Sequence, residues 1–234
     1  MCASDLDQVD GGFVPTFKGG LVCDTRYNRP NAMKGMWTEA GVEASPKILG
    51  AESSCAKLSL IHRQYFTLGP RNLSLVCRLA YQTTLAGDVP FYYQSQVITS
   101  ILTGALSEGL GGAKTLRGVL RNRVVGDGFF YGNLEARWKF VRFNFIKNNF
   151  YLGLNGFADF GRVTKKIDFT LPANLGTYSK ADFFKDDAEK FHTSVGAGLR
   201  IAMNENFVIA VDYGRALNDQ DGKSGMYIGL NYLF

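Results

Sequence analysis

The sequence predicts an all-β protein, an antiparallel transmembrane β-barrel with about eight to nine strands. Apolar and polar residues alternate along nine runs, and tight turns alternate with long loops. Most runs are about 10 to 14 residues long, enough to cross a bilayer at a tilt, whereas strands of soluble domains average about half that length. The runs cover residues 17–26, 35–45, 54–68, 71–84, 128–141, 149–163, 191–203, 206–217 and 225–234.

Composition supports a membrane-facing sheet over the other classes of protein. The 234 residues are 46% hydrophobic and 13% aromatic, yet no run of about 18 apolar residues is present. A transmembrane helix is therefore excluded, and strands remain as the elements that contact membrane lipid. The net charge of +5 is spread over many segments, so we expect no nucleic-acid partner.

The alternation separates an apolar face from a polar one in each run. Between residues 128 and 141, Leu134 and Trp138 share one face, while Glu135 and Arg137 share the other. A soluble sandwich alternates as well, but its strands are shorter and carry fewer charges at their centres. The charged residues in mid-strand indicate a polar lumen. They are Glu135, Arg137, Asp159, Arg200 and Asp212.

The connections predict the topology of the domain. Residues 1–12 read as a polar N-terminal tail without a signal-peptide pattern, and residues 13–234 as one outer-membrane β-barrel domain. Tight turns at 68–71 and 203–206 suit the periplasmic side, and the long connections 84–127 and 164–190 suit the outside. Because intact bacterial barrels have an even strand count, we expect either that the first run lies outside the wall or that strands precede it.

No residue pattern predicts catalysis. His62 and His192 lie in separate runs without a nucleophile motif, and Cys2, Cys23, Cys55 and Cys77 lack zinc-ligand spacing. A disulfide between neighbouring strands stays open. We predict no catalytic residue, no metal and no cofactor, and the chain is not expected to be an enzyme.

The last residues form a recognisable pattern, with Tyr227, Gly229, Tyr232 and Phe234 at alternating positions or two apart. This pattern resembles the targeting signal of outer-membrane barrels, which ends in an aromatic residue preceded by a second apolar residue and an upstream glycine. We expect an edge strand with a lipid-facing aromatic stripe. The alternative is an ordinary hydrophobic last strand.

The long central loop contains Leu116, Arg117, Gly118 and Val119. This tetrad resembles the Val/Leu-Arg-Gly-Phe/Tyr motif of the BamA/TamA superfamily of outer-membrane assembly and translocation barrels, also known as the bacterial surface antigen family. In that family the loop folds back into the lumen. Leu116, Arg117 and Gly118 match the motif, whereas Val119 replaces the usual aromatic residue.

Further motifs follow at the family's spacing. Residues 132–137 and 157–161 resemble the two strands after the loop, and residues 24–28 resemble an upstream Asp-Thr-Arg turn. Strand parity also places Glu135 and Asp159 on the lumen face of adjacent strands, within reach of a loop arginine. We therefore expect Arg117, with Glu135, Asp159 and Gly118, to lock the loop inside the barrel. The alternative is that Arg117 is a solvated loop residue.

The resemblance implies the C-terminal portion of a barrel of about sixteen strands, without POTRA domains. It implies insertion and assembly of outer-membrane proteins, or polypeptide translocation, in the bacterial outer membrane and without covalent catalysis. Unfolded outer-membrane proteins or accessory assembly proteins would be the partners. The alternative is a short, free-standing structural or pore-like barrel, or a homodimer, with no insertase activity. A surface-antigen role of the long loops is a third reading.

Overall fold

The computed structural model describes residues 12–69, 72–167 and 189–234. Nine strands form one sheet in the order β1-β2-β3-β4-β7-β8-β9-β10-β11, and all neighbours are antiparallel. Their bounds are β1 Phe17–Asp24, β2 Gly35–Ser45, β3 Cys55–Leu68, β4 Leu73–Gly87, β7 Gly128–Phe145, β8 Asn148–Lys165, β9 His192–Met203, β10 Phe207–Ala216 and β11 Ser224–Leu230. The connection between β4 and β7 holds α1 Phe91–Gln94 and a hairpin of β5 Gln96–Ser100 and β6 Ala105–Glu108.

Each predicted run overlaps one strand of this sheet, so the predicted all-β antiparallel architecture is confirmed. The β7–β8 hairpin runs further than predicted, because Ile146 and Lys147 both adopt left-handed backbone angles that make a tight turn. No helix in the described ranges is long and apolar enough to span a bilayer. Most of the predicted tail, part of the turn at 68–71 and most of the loop 164–190 lie outside the described residues.

The sheet has two edges, and within the described residues it does not close into a barrel. Strand β1 pairs with β2, strand β11 pairs with β10, and no pairing joins β1 to β11. Because nine antiparallel strands alternate in direction, the two edge strands run the same way. Closure into a barrel stays a prediction.

The two faces of the sheet have opposite chemistry. The outer face exposes large apolar side chains, among them Leu79, Leu134, Trp138, Leu154 and Ile228. The inner face buries charged side chains, among them Glu39, Arg78, Glu135, Asp159 and Arg200. This distribution is the reverse of a water-soluble protein and suits strands that contact lipid outside and enclose a polar interior.

The long connection between β4 and β7 folds onto the inner face and makes the core. Its residues Leu110, Leu116 and Val119 pack with strand residues that include Ile61 and Tyr131. The core therefore lies between the sheet and its own loop. A barrel segment whose inner face is filled in this way leaves no wide channel at this level.

The β5–β6 hairpin is attached to the sheet by Glu39 of β2. This buried carboxylate accepts hydrogen bonds from the backbone N–H groups of Ile101 and Leu102 at 2.5 and 3.0 Å, and from Ser100 Oγ at 3.0 Å. Arg63 lies 3.7 Å from the same carboxylate. Glu39 thus satisfies the donors of the hairpin turn where water cannot reach them.

Replacing Glu39 with alanine should lower the free energy of unfolding by about 2–4 kcal/mol, because the turn loses its acceptors and Arg63 its counter-charge. Glutamine keeps an acceptor oxygen of the same shape, so we expect a loss of about 1 kcal/mol for Glu39→Gln. Urea unfolding in detergent micelles measures both, and hydrogen exchange at Ile101 and Leu102 reports the hairpin itself. Equal losses in the two variants would contradict this role of the carboxylate.

Candidate functional site

The loop from Gly109 to Asp127, here called the inner loop, crosses the inner face and closes on itself. Leu110 and Val124 form a two-way backbone bridge at 2.8 and 3.3 Å. Nearer the tip, Thr115 Oγ1 bonds both the N–H and the carbonyl of Gly111, at 2.8 and 3.0 Å. These local bonds give the tip a defined shape, so Arg117 is presented from a rigid turn.

Arg117 lies between two carboxylates of adjacent strands and is 1% exposed. Its Nη1 is 2.6 Å from Glu135 Oε1, and its Nε and Nη2 each donate to Asp159 at 2.9 Å. The backbone N–H of Arg117 also donates to Asp159 at 3.0 Å, and the guanidinium lies 3.5 Å above the ring of Phe157. Burial opposes the charged form, but the carboxylates outweigh it and raise the pKa of the Arg117 guanidinium above its usual range. Arg117 is thus held as a cation by two-pronged hydrogen bonding.

The ion-pair network extends beyond the predicted residues. Glu135 also contacts Arg137 at 2.7 Å, and Asp212 of β10 lies 3.4 Å from Arg117 while binding Arg200 at 2.7 Å. Three arginines therefore face three carboxylates, and the network joins the inner loop to four neighbouring strands. Strand parity could place Asp212 and Arg200 on the inner face, but it could not show that they reach the loop.

Gly118 lets the loop touch the sheet backbone to backbone. Its φ is +97°, and a Cβ there would lie 2.7 Å from atoms of Gly214 and Arg215 on β10. The N–H of Gly118 donates to the hydroxyl of Tyr227 on β11 at 2.9 Å. The inner loop is thereby fixed to the last two strands of the sheet.

The other two residues of the loop motif are apolar anchors. Leu116 and Val119 are both buried in the core cluster, so valine fills the place at which the family pattern has an aromatic residue. Polar side chains of the wall hold the loop backbone nearby. Asn133 Nδ2 donates to the carbonyl of Thr115 at 2.7 Å, and Arg78 Nη2 donates to that of Lys114 at 2.8 Å.

The predicted lipid-facing stripe at the end of the chain is only partly present. Ile228 and Leu230 are exposed on the outer face, but β11 ends at Leu230 and Asn231 turns the chain with a left-handed φ of +66°. Tyr232 and Phe234 consequently lie on the inner face, and the prediction that they extend the stripe was wrong. The reason is tertiary, because Phe234 finds a buried pocket between two arginines there. The targeting role of Tyr227, Gly229, Tyr232 and Phe234 stays a prediction.

The histidines and cysteines lie apart from this network. His62 Nδ1 is 2.8 Å from Thr38 Oγ1, and His192 Nδ1 is 2.7 Å from Asp221 Oδ1. Cys23, Cys55 and Cys77 are free thiols, and Cys2 lies outside the described residues. Across the described ranges, no group of three or more histidine, cysteine or acidic side chains is placed to hold a metal ion.

A lipid-compatible outer face, a charged inner face and a loop pinned against it are features of outer-membrane β-barrel proteins. The Omp85 superfamily domain matches residues 15–234, which is nearly the whole chain. The protein belongs to the Omp85 superfamily, a family of outer-membrane assembly and translocation barrels, and the predicted resemblance is confirmed at this level. No curated protein matches the sequence.

Proposed function

We propose that this chain forms wall strands of a bacterial outer-membrane β-barrel and acts in the insertion and assembly of outer-membrane proteins, or in polypeptide translocation. Membership of the Omp85 superfamily supports the proposal. The chemistry is non-covalent and the chain is not an enzyme. Its partners are membrane lipid on the outer face and unfolded outer-membrane proteins, with accessory assembly proteins as further candidates.

The observation that carries the proposal is the buried contact of Arg117 with Glu135 and Asp159. Burying charges costs more than their attraction returns unless the pairing is close to ideal, so such networks suit the specification of one arrangement better than the stabilisation of a passive wall. Here the arrangement places Gly118 against Gly214 and Tyr227, beside the edge strand β11. The inner loop therefore braces the edge from inside.

A braced edge strand is a template for an incoming strand. The unpaired N–H and C=O groups of β11 can form a ladder with an extended segment, which supplies affinity without any covalent step. The lock keeps the inner loop out of the path of that segment and holds β10 and β11 in position.

The alternative, a structural or pore-like barrel without insertase activity, is supported by the two unpaired edges, which two copies could cover. Strand direction weighs against this dimer. Since β1 and β11 run the same way, a second copy related by a two-fold axis along the membrane normal would meet β11 with β1 in parallel. An odd number of additional strands would close the wall with antiparallel pairs throughout.

Reconstitution into liposomes with an unfolded barrel client tests the proposal. We expect the client to fold at least about tenfold faster than in empty liposomes, which corresponds to about 1.4 kcal/mol off the insertion barrier. The gel mobility of folded client, sampled over time, measures the rate. Liposomes carrying the Arg117→Glu variant serve as the control and should lose the acceleration. An unchanged client rate, together with a dimeric native mass in detergent, would favour the alternative.

A further inference from the structure

We propose that the inner face carries a binding cradle for a polypeptide segment with aromatic residues two positions apart, and that residues 231–234 of this chain occupy it as an internal ligand. The cradle consists of Tyr65, Val76, Arg78, Arg137 and Tyr151, on strands β3, β4, β7 and β8. The inference rests on the proposed function, because it names a class of client segment that the protein would recognise.

The first aromatic position of the cradle holds Phe234. The ring packs with Tyr65 and Val76 and is 9% exposed. Guanidinium carbons of Arg78 and Arg137 lie 4.8 and 5.3 Å from the ring centre. Arg137 Nη2 also donates to the carbonyl oxygen of Phe234 at 3.1 Å, so side chain and backbone are both recognised.

The second aromatic position holds Tyr232. Its ring lies 4.1 Å from the guanidinium of Arg137, and its hydroxyl is 3.2 Å from that of Tyr151. Arg137 therefore contacts both aromatic rings of the segment. Stacking of arginine on aromatic faces in a site shielded from water is a specific and favourable contact.

Three buried polar side chains beside the cradle have no hydrogen-bond partner among the described residues. They are the hydroxyls of Tyr65 and Ser74 and both polar atoms of the Asn155 amide. Ser74 and Asn155 lie directly opposite Arg137 in the two strand ladders that flank β7. Unpaired buried groups are uncommon, and an extended backbone supplies the donors and acceptors they lack. These groups indicate a site built for more chain than residues 231–234 provide.

The internal segment also has an alternative place. The N–H of Asn231 still donates to the carbonyl of Val208 at 2.7 Å, as a ladder residue would. Continuing the β10–β11 register would pair Tyr232 with Phe207 and put the aromatic side chains on the outer face. The left-handed turn at Asn231 alone separates the two arrangements, so a competing segment in the cradle would release residues 231–234 to lengthen edge strand β11.

The test uses the full chain in detergent micelles and a synthetic peptide with the sequence of residues 224–234. A photoreactive benzophenone replaces the final phenylalanine of the peptide for mapping of the contact. Emptying the cradle with Phe234→Ala should tighten peptide binding by about tenfold, because the internal competitor is lost. The Leu230→Ala variant, changed on the outer face of the same strand, should bind as the unmodified protein does.

Cross-links in the Phe234→Ala protein should fall on β3, β4 and β7, and a peptide with alanine at both aromatic positions should not bind. Cross-links confined to the edge strands β1 and β11 would overturn the cradle. So would equal binding of the peptide before and after Phe234→Ala. Liposome insertion by the same preparation separates the two proposals, because insertion without cradle binding rejects only the cradle, and cradle binding without insertion rejects only the insertase function.

Discussion

Reversing the charge of Arg117 should lower the free energy of unfolding by about 3–5 kcal/mol, because Arg117→Glu leaves a cluster of buried carboxylates without their central cation. Glu135 and Asp159 approach the guanidinium at 2.6 and 2.9 Å, and Asp212 lies 3.4 Å away. Repulsion among these groups should eject the inner loop. Urea unfolding in detergent micelles measures the loss, and limited proteolysis between residues 109 and 127 reports release of the loop.

Arg121→Glu is the matched control, since Arg121 belongs to the same loop but its side chain is 72% exposed and pairs with the exposed Glu108. Exposed pairs contribute about 0–1 kcal/mol, so this variant should unfold almost normally. Adding Asp159→Arg to Arg117→Glu should restore part of the stability by reversing one pair. Rescue stays partial because Glu135 and Asp212 still face the new glutamate. Normal stability of the Arg117→Glu protein would end the idea of a lock.

Gly118→Ala is expected to cost about 3 kcal/mol, from a strained backbone conformation and an overpacked contact together. The added Cβ would lie 2.7 Å from backbone atoms of Gly214 and Arg215, which cannot move without shifting β10. The free energy of unfolding measures the cost. Loss of the Gly118 hydrogen bond to Tyr227 should appear as faster hydrogen exchange at the Gly118 amide.

Gly112 separates the two contributions within the same loop. Its φ is also positive, at +81°, but a Cβ there would lie 3.5 Å from the nearest atom, an ordinary contact. Gly112→Ala should therefore cost about 1 kcal/mol, from backbone strain alone. If the two glycine variants lost the same stability, close approach of the loop to β10 would not be what position 118 requires.

Alternation was sufficient to predict the wall of this protein. A strand exposes successive side chains on opposite faces, so a run such as 128–141 reveals its direction, its faces and its lipid contact from local order alone. The same parity put Glu135 and Asp159 on one face, and the family motif supplied Arg117. The short β5–β6 hairpin escaped prediction because its strands lie on the inner face with apolar contacts on both sides, which erases the alternation.

Contacts between distant residues needed the tertiary structure. The attachment of Ile101 and Leu102 to Glu39, and the reach of Asp212 to Arg117, join residues far apart in the chain. The last four residues show the same limit most sharply, since their local pattern predicts an outward stripe. Residues of β3, β4 and β7, brought together only by folding, form a pocket that draws Phe234 inward. Local periodicity records the two faces of a strand, whereas the free energy of a buried contact depends on every chain segment that surrounds it.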